Sequence, residues 1–542
     1  MHRYAATLFA ALLIAAPAVH AARVTITAEQ VEALGRTWRN AALHCNLVAT
    51  RGTRIGCDRG TLDLGESIPL RAFYDSASGA VDVELLPAAG ERWQLAGAPD
   101  GGRWAGRLHV EGSVLRLAPF LPPAAPALSA GRLSGTVDMT LSASDGFAAD
   151  AQLAFSGVGF SDASGQHAGE KLAGAVKLTA EERGGATRYR ASVDWNEGEL
   201  FWQPLFVKAG HALAAEGTLD AGRITVDAGR LRSKGMGEIA FFATWDRATG
   251  TLATSAGGGA ALDIRGAYEA LAQPLLADTV AADLSTAGTA DFGWRFADGA
   301  LQAFYLNLHR ASFTDRTRRF DLADLDAAIP WDRTAPTQAR VTLGRAELLR
   351  LPIGRVEVPI ELDGFRAQVS RVEVPLLDGS LHMNDFVARR EDGRWRWEFA
   401  GGITPISVEA LTRTLGTHVM YGKLSAVVPR VRYQSSTVAV EGALLFQLFD
   451  GTVVVDRLSL VDPLGRVPRL YADLDMRNLD LDLVTRTFAF GSITGRIDAT
   501  VTGLELASWQ PVAFDAWVGS SPGSYPKRIS QRAVENITAL GG

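Results

Sequence analysis

The sequence predicts a mainly β protein, built as an extended, repetitive antiparallel stack with a few short helices. Three observations carry that prediction. The segment from Gly491 to Leu506 alternates strictly, with Ile497, Ala499 and Val501 on one side and Arg496, Asp498, Thr500 and Thr502 on the other, which is the pattern of a strand with one dry and one wet face. The segment is also half of an internal repeat. Met420-Tyr421-Gly422-Lys423-Leu424 returns as Ile493 to Ile497, Leu411 to Leu415 returns as Val484 to Phe488, and Asp378-Gly379-Ser380-Leu381 returns as Asp450-Gly451-Thr452-Val453, at offsets of 72 or 73 residues. Matched landmarks at a constant offset indicate stacked supersecondary units. Finally, 56 of 542 residues are glycine, about 10% against the usual ~7%, and most fall between alternating segments where turns are needed.

At 47% hydrophobic and 21% charged, the chain can bury extensive surface and exceeds one ordinary domain. Its 54 basic and 60 acidic residues leave a net charge of −6, without a basic block. That balance argues against a nucleic-acid partner.

The N-terminus carries an address. His2 and Arg3 precede an apolar run from Ala5 to Ala16, a break at Pro17 and the small-residue site Val19-His20-Ala21. The run is shorter than the ~20 residues needed to span a bilayer as a helix. Residues 1–21 read as a cleaved secretory signal or a short membrane anchor, and both put the body of the protein outside the cytosol. Thr27 to Ala42 reads as a helix, with a capping-box pattern at Thr27 and Gln30 and apolar Val31, Leu34 and Trp38 at helical spacing. It would cap one end of the β structure or lie on its surface. The only two cysteines, Cys45 and Cys57, then flank a predicted hairpin with a three-residue loop Thr50-Arg51-Gly52, which sets them opposite each other as a disulfide. A metal or redox pair is the weaker reading, since no CxxC or histidine spacing supports it.

Short strands with glycine-rich turns run from Gly60 to about Gly112, and the prolines of Ala118 to Ala130 interrupt them. Alternation dominates from Gly131 to about Gly259, as in Val137, Met139 and Leu141, in Tyr189, Ala191, Val193 and Trp195, and in Ile224, Val226 and Ala228. Gly257-Gly258-Gly259 marks a soft point, and Tyr268 to Ala277 suggests a brief helix broken at Pro274. Val356, Val358, Ile360 and Leu362 alternate cleanly with Glu357, Pro359 and Glu361. Strands every dozen or so residues give roughly 40 of them, a ribbon on the order of 190 Å long at ~4.8 Å per strand. Such a sheet must curl into a trough or be covered by another layer.

Signals for catalysis are poor. The nine histidines never pair at i, i+4, so the zinc-protease pattern is missing. Gly416 to Lys423 has one residue too many between its glycines for a phosphate loop, and Leu424 stands where Ser or Thr is required. Asp480 and Asp482, two apart on one predicted strand face, could suggest acid and base work; a solvated sheet face is the plainer reading. Trp395 and Trp397 share a face and read as cross-strand packing before sugar platforms. No catalytic residue, metal ligand or cofactor is assigned.

The C-terminal run resembles a known group. Gly495-Arg496-Ile497-Asp498 through Leu504-Glu505-Leu506, Trp509 to Ala516 and Arg528 to Ile537, with the repeat elements Asp450-Gly451-Thr452-Val453 and Gly491 to Ile497, look like the C-terminal part of YdbH-type proteins, of the AsmA-like group that includes TamB and YhdP. The resemblance spans roughly residues 370–542. It implies a bridge-like lipid transfer protein of the Gram-negative cell envelope: a taco-shaped β-groove with an apolar interior, periplasmic, carrying phospholipids between inner and outer membrane without chemical catalysis. It also implies an outer-membrane lipoprotein partner and a chain continuing past Gly542. The expected organisation is a signal or anchor (1–21), an N-terminal cap helix and disulfide hairpin with the first strands (22–117), a repetitive β-groove (131–370), two AsmA-like repeats (371–527) and a C-terminal helix (528–542). The expected lining is Val356, Val358, Ile360, Leu470, Leu474, Met476, Ile497 and Val501. A scaffold for outer-membrane biogenesis and an envelope carbohydrate-active enzyme are the alternative functions.

Overall fold

The computed structural model describes residues 23–33, 36–120, 125–142, 146–277 and 279–540. The predicted signal or anchor, residues 1–21, lies outside them. The fold is mainly β, with 72% of the described residues in strands and 8% helical, and every recorded strand pairing is antiparallel. The strands form two compact units, 1–258 with 297–299 and 259–296 with 300–542. The change of unit falls in Gly257-Gly258-Gly259.

The first unit contains β1 (Val24–Ala33), β2 (Arg36–Arg51), β3 (Arg54–Asp63), β4 (Ser67–Asp75), β5 (Val81–Leu85), β6 (Arg92–Asp100), β7 (Arg103–Ser113), β8 (Ala127–Ser142), β9 (Gly146–Ser161), β10 (His167–Arg183), β11 (Ala186–Trp202), β12 (Leu205–Lys208), β13 (His211–Leu219), β14 (Arg223–Ser233) and β15 (Gly237–Asp246). Strand β16 (Thr251–Asp263) follows. Each pairs with its sequence neighbour, except that β12 and β13 both pair with β11.

Two expectations fail here. Within Thr27 to Ala42 the described residues are strand rather than helix, with Leu34 outside them: β1 and β2 pair from Val24 opposite Cys45 to Ala33 opposite Arg36, with Val31 facing Trp38. Because β2 is also held by β3 on its other side, ladder bonds on both edges outweigh a short amphipathic pattern that would leave one strand of the sheet unpaired. The disulfide does join Cys45 and Cys57, but the hairpin register differs. Arg51 pairs with Arg54 around Gly52 (φ +65°) and Thr53, so Cys57 stands opposite Val48 and Cys45 opposite Gly60. A bulge at Leu47 shifts the ladder, and sequence symmetry about the turn cannot reveal it.

The second unit holds β17 (Leu284–Ala297), β18 (Ala300–Asp315), β19 (Phe320–Asp332), β20 (Thr337–Leu348), β21 (Leu351–Ile353), β22 (Val356–Asp363), β23 (Arg366–Leu376), β24 (Gly379–Glu391), β25 (Arg394–Ser407), β26 (Gly422–Gln434), β27 (Thr437–Leu448), β28 (Gly451–Val461), β29 (Arg469–Asp480), β30 (Ile493–Thr494), β31 (Arg496–Ala507), β32 (Gln510–Ser520) and β33 (Arg528–Ile529). Its helices are a segment at 264–275, which is helical through Pro274 rather than broken by it, and α1 (Val408–Leu415), α2 (Leu481–Thr487) and α3 (Gln531–Leu540). The strands number 33 among the described residues, fewer than the expected 40, because several are long: β8 to β11 run 16 or 17 residues each.

The sequence repeat is a structural one. β24, β25, α1, β26 and β27 recur as β28, β29, α2, β31 and β32. The helix caps are 73 residues apart, Ser407 accepting from the Ala410 amide and Asp480 from those of Asp482 and Leu483. Inside each helix a buried threonine donates to the carbonyl four residues back, Thr412 to Val408 and Thr485 to Leu481. The same hydroxyl receives the amide of the following loop, Met420 or Ile493. The repeat landmarks at Leu411 to Leu415 and Val484 to Thr487 thus lie in short helices whose first turns are capped by Ser407 and Asp480.

Candidate functional site

In antiparallel strands, directly opposed residues share a face. Following the register through the first unit, Leu70 stands beside Leu85, then Trp93, Val110, Gly135, Leu153, Val176, Val193, Leu213, Leu231 and Ile239. An apolar or glycine residue thus occupies this row in every strand from β4 to β15, β12 aside. The second unit repeats the arrangement, from Val374 through Leu381, Ile403, Ala426, Leu444, Val455, Leu474 and Val501 to Ala516. The opposite face carries cross-strand ion pairs, among them Arg107–Asp138 (2.6 Å), Arg190–Glu216 (2.8 Å) and Arg432 between Glu398 and Glu441.

The dry face is not covered by a second large sheet. Among the described residues the only other sheet is the two-stranded β30–β33 pair. In the first unit Leu141, Leu178 and Leu213 on this face remain 50, 37 and 41% exposed. In the second unit the same face is deeper, with Val356, Val369 and Val372 buried together.

All eight predicted lining residues lie on this apolar face of the second unit. Val358 and Ile360 pack against the cluster containing Val356. Leu474, Met476 and Ile497 pack against Phe449, Val453 and Leu479. Val501 stands beside Leu474, and Leu470 between Leu460 and Leu506. The two groups form separate patches of the face, with Ala426, Val431 and their aromatic and aliphatic neighbours between them.

The apolar face of the first unit, whose alternation is legible at Val137, Met139 and Leu141 and at Tyr189 to Trp195, holds none of the predicted lining residues. Gly97 and Gly106 are opposed on β6 and β7, and the Trp104 ring lies over both, 2.3 Å from where a Cβ on either would stand. The ring fills the space those side chains would take. Beyond it, Gly106, Met139, Ala149, Ala180, Tyr189 and Gly217 follow in register. Tyr189 donates its hydroxyl to the Thr225 carbonyl (2.8 Å), and burial raises its pKa.

The polar constellations have structural partners. Asp480 and Asp482 do not share a strand face: Asp480 caps α2, and Asp482, in the first turn, pairs with Arg486 (2.6 Å) and accepts from Ser492. A strand ending where a helix begins separates the two carboxylates. Trp397 stacks on Tyr433 at 5.2 Å and on Phe399 at 6.0 Å, so it belongs to a cross-strand aromatic cluster. Ser380 lies 3.2 Å from His382, whose other ring nitrogen is 4.0 Å from Glu373, but the serine hydroxyl is also held by Thr404 in a residue only 7% exposed. Ser521, in Gly519-Ser520-Ser521-Pro522-Gly523, has the spacing of a nucleophile elbow, yet it is buried and donates to Asp498 (2.6 Å). No group of three or more His, Cys, Asp or Glu residues suited to a metal occurs among the described residues.

One buried charge stands apart. Asp315, with no exposed surface, accepts from the Arg319 amide, from Thr317 and twice from the Arg319 guanidinium (2.8 and 2.9 Å). That guanidinium also donates to the carbonyls of Leu464 (2.9 Å) and Val280 (3.0 Å). The Arg319 bonds hold the Asp315 carboxyl well below the usual carboxylate range.

No protein-family model matches the chain, and no curated protein matches it. Among the described residues no helix is long and apolar enough to cross a membrane.

Proposed function

We propose that the protein is a bridge-like lipid transport protein of the cell envelope, carrying phospholipids between inner and outer membrane along its apolar sheet face without chemical catalysis. The observation that supports this reading is the apolar row in each unit, one residue per strand, left uncovered by a second large sheet while the opposite face is laced with ion pairs. Each acyl methylene shielded from water gains about 0.8 kcal/mol. A continuous row therefore offers a tail many equivalent positions at nearly equal energy, which is what sliding requires. Movement along it needs no reacting group, and direction comes from the membranes it joins.

The test is photocrosslinking. A photoreactive amino acid at Val358 or Ile497 should capture phospholipid in cells, and one at Glu357 or Arg340, on the ion-paired face, should not. Equal capture from both faces, or none from the apolar one, would overturn the proposal. No observation favours the carbohydrate-active enzyme over this reading. The scaffold reading predicts normal phospholipid traffic in a deletion strain.

A further inference from the structure

From the structure of the second unit we infer that Arg319 is a strap that closes the open side of its sheet. In an antiparallel meander, turns after alternate strands lie along one long edge and the remaining turns along the other. By this count the β18–β19 turn, which holds Arg319, and the β28–β29 loop, which holds Leu464, belong to opposite edges. They are separated by eight strand-to-strand steps. Laid flat, those steps alone would hold the two turns at least ~38 Å apart. The 2.9 Å bond from Arg319 to the Leu464 carbonyl is possible only because the sheet coils until its two long edges meet.

The coil has an identifiable cause. Register shifts interrupt the last four of the eight pairings, as at Asn384/Val387, Phe399/Gly401, Val427/Arg430 and Ala439/Leu444, and each bulge adds bend and twist. Bulges set the curvature, but they do not join the edges. Among the described residues, the Arg319 side chain spans the join. Asp315 orients the Arg319 fork through two bonds, and the remaining donors reach Leu464 on the far edge and Val280 in the segment after the 264–275 helices. Arginine suits this role because its planar fork serves several acceptors at once. Where the edges meet, the apolar face is shut off from the side, so the strap divides lateral access to that face.

The inference concerns shape and stands independently of what occupies the face. Cys45 and Cys57 are disulfide-bonded and the described residues include no free cysteine. Spin labels at the exposed flanking positions, through Arg318→Cys and Arg466→Cys in the full chain, therefore report the gap by electron–electron resonance. One short, narrow distance is expected. Arg319→Gln should lengthen or broaden it by about 10 Å, two strand spacings, with the circular dichroism unchanged, and Arg319→Lys should fall between. If Arg319→Gln fails to fold because Asp315 is left buried and unpaired, Asp315→Asn with Arg319→Gln removes both charges and decides the matter. An unchanged distance in the folded variants, or a long distance in the parent, would overturn the strap. No lipid enters the measurement, so failure of crosslinking at Val358 leaves this result intact, and an open strap leaves lipid capture at Ile497 untouched.

Discussion

At the scale of single residues, two positions convert packing into measurable outcomes. Gly106 has room for nothing but hydrogen on its apolar side, because the Trp104 ring lies 2.3 Å from its would-be Cβ. Gly106→Val should therefore cost about 1–3 kcal/mol, as overpacking does, lowering the denaturant midpoint. Adding Trp104→Ala to that variant should recover part of the loss by emptying the contested space. His211, beside Trp195 at 5.5 Å, has its pKa lowered by burial, partly countered by its bond to the Lys208 carbonyl. A histidine held neutral in the fold contributes stability above its unfolded pKa of about 6.5. That contribution is lost as pH falls from there toward the lower folded value, since the unfolded chain takes up the proton first. Melting temperature should drop between pH 7.5 and 5.5, and His211→Gln should drop less.

At the scale of elements, the repeat unit is a pair of hairpins with one capped helix between them. Its key is a buried hydroxyl, Thr412 or Thr485, that ties its helix to the loop behind it. Thr412→Val should leave the Met420 amide without its partner at a cost of about 1–3 kcal/mol. Thr485→Val should behave alike, and Thr412→Ser should restore most of the loss; thermal melts of the three variants check this. The 73-residue offset was legible in sequence, as was the C-terminal helix, which the structure places at Gln531–Leu540. What the repeat contained was not. Leu411 to Leu415 is too short for helical periodicity to declare itself, and only the neighbouring cap and C-terminal Gly416 (φ +71°) make it a helix. The N-terminal segment failed in the opposite direction: Val31, Leu34 and Trp38 satisfy a helical spacing, while β2 takes its partners from strands on both sides.

At the scale of the molecule, each unit separates a dry face from a charged one, and the proposed transport uses only the dry one. Lysine in place of Val358 or Ile497 would set a charge among buried aliphatics, where an unpaired charge is strongly disfavoured. The expected outcome is loss of lipid capture at neighbouring positions along the row, read by crosslinking, with the fold checked by circular dichroism. Placed on the ion-paired face, as Glu357→Lys, the same residue should leave capture unchanged.

The sequence by itself determined the mainly β class, the repeat, the disulfide partners and the face on which Val356, Val358, Ile360, Leu470, Leu474, Met476, Ile497 and Val501 lie. Alternation with period two depends only on neighbouring residues, so it is written locally. Tertiary structure alone decided whether that face is covered, where bulges shift the register, and that Arg319 reaches Leu464 across eight strands. These depend on which distant segments meet, and a bulge of one residue, invisible in composition or spacing, redirects everything that follows it.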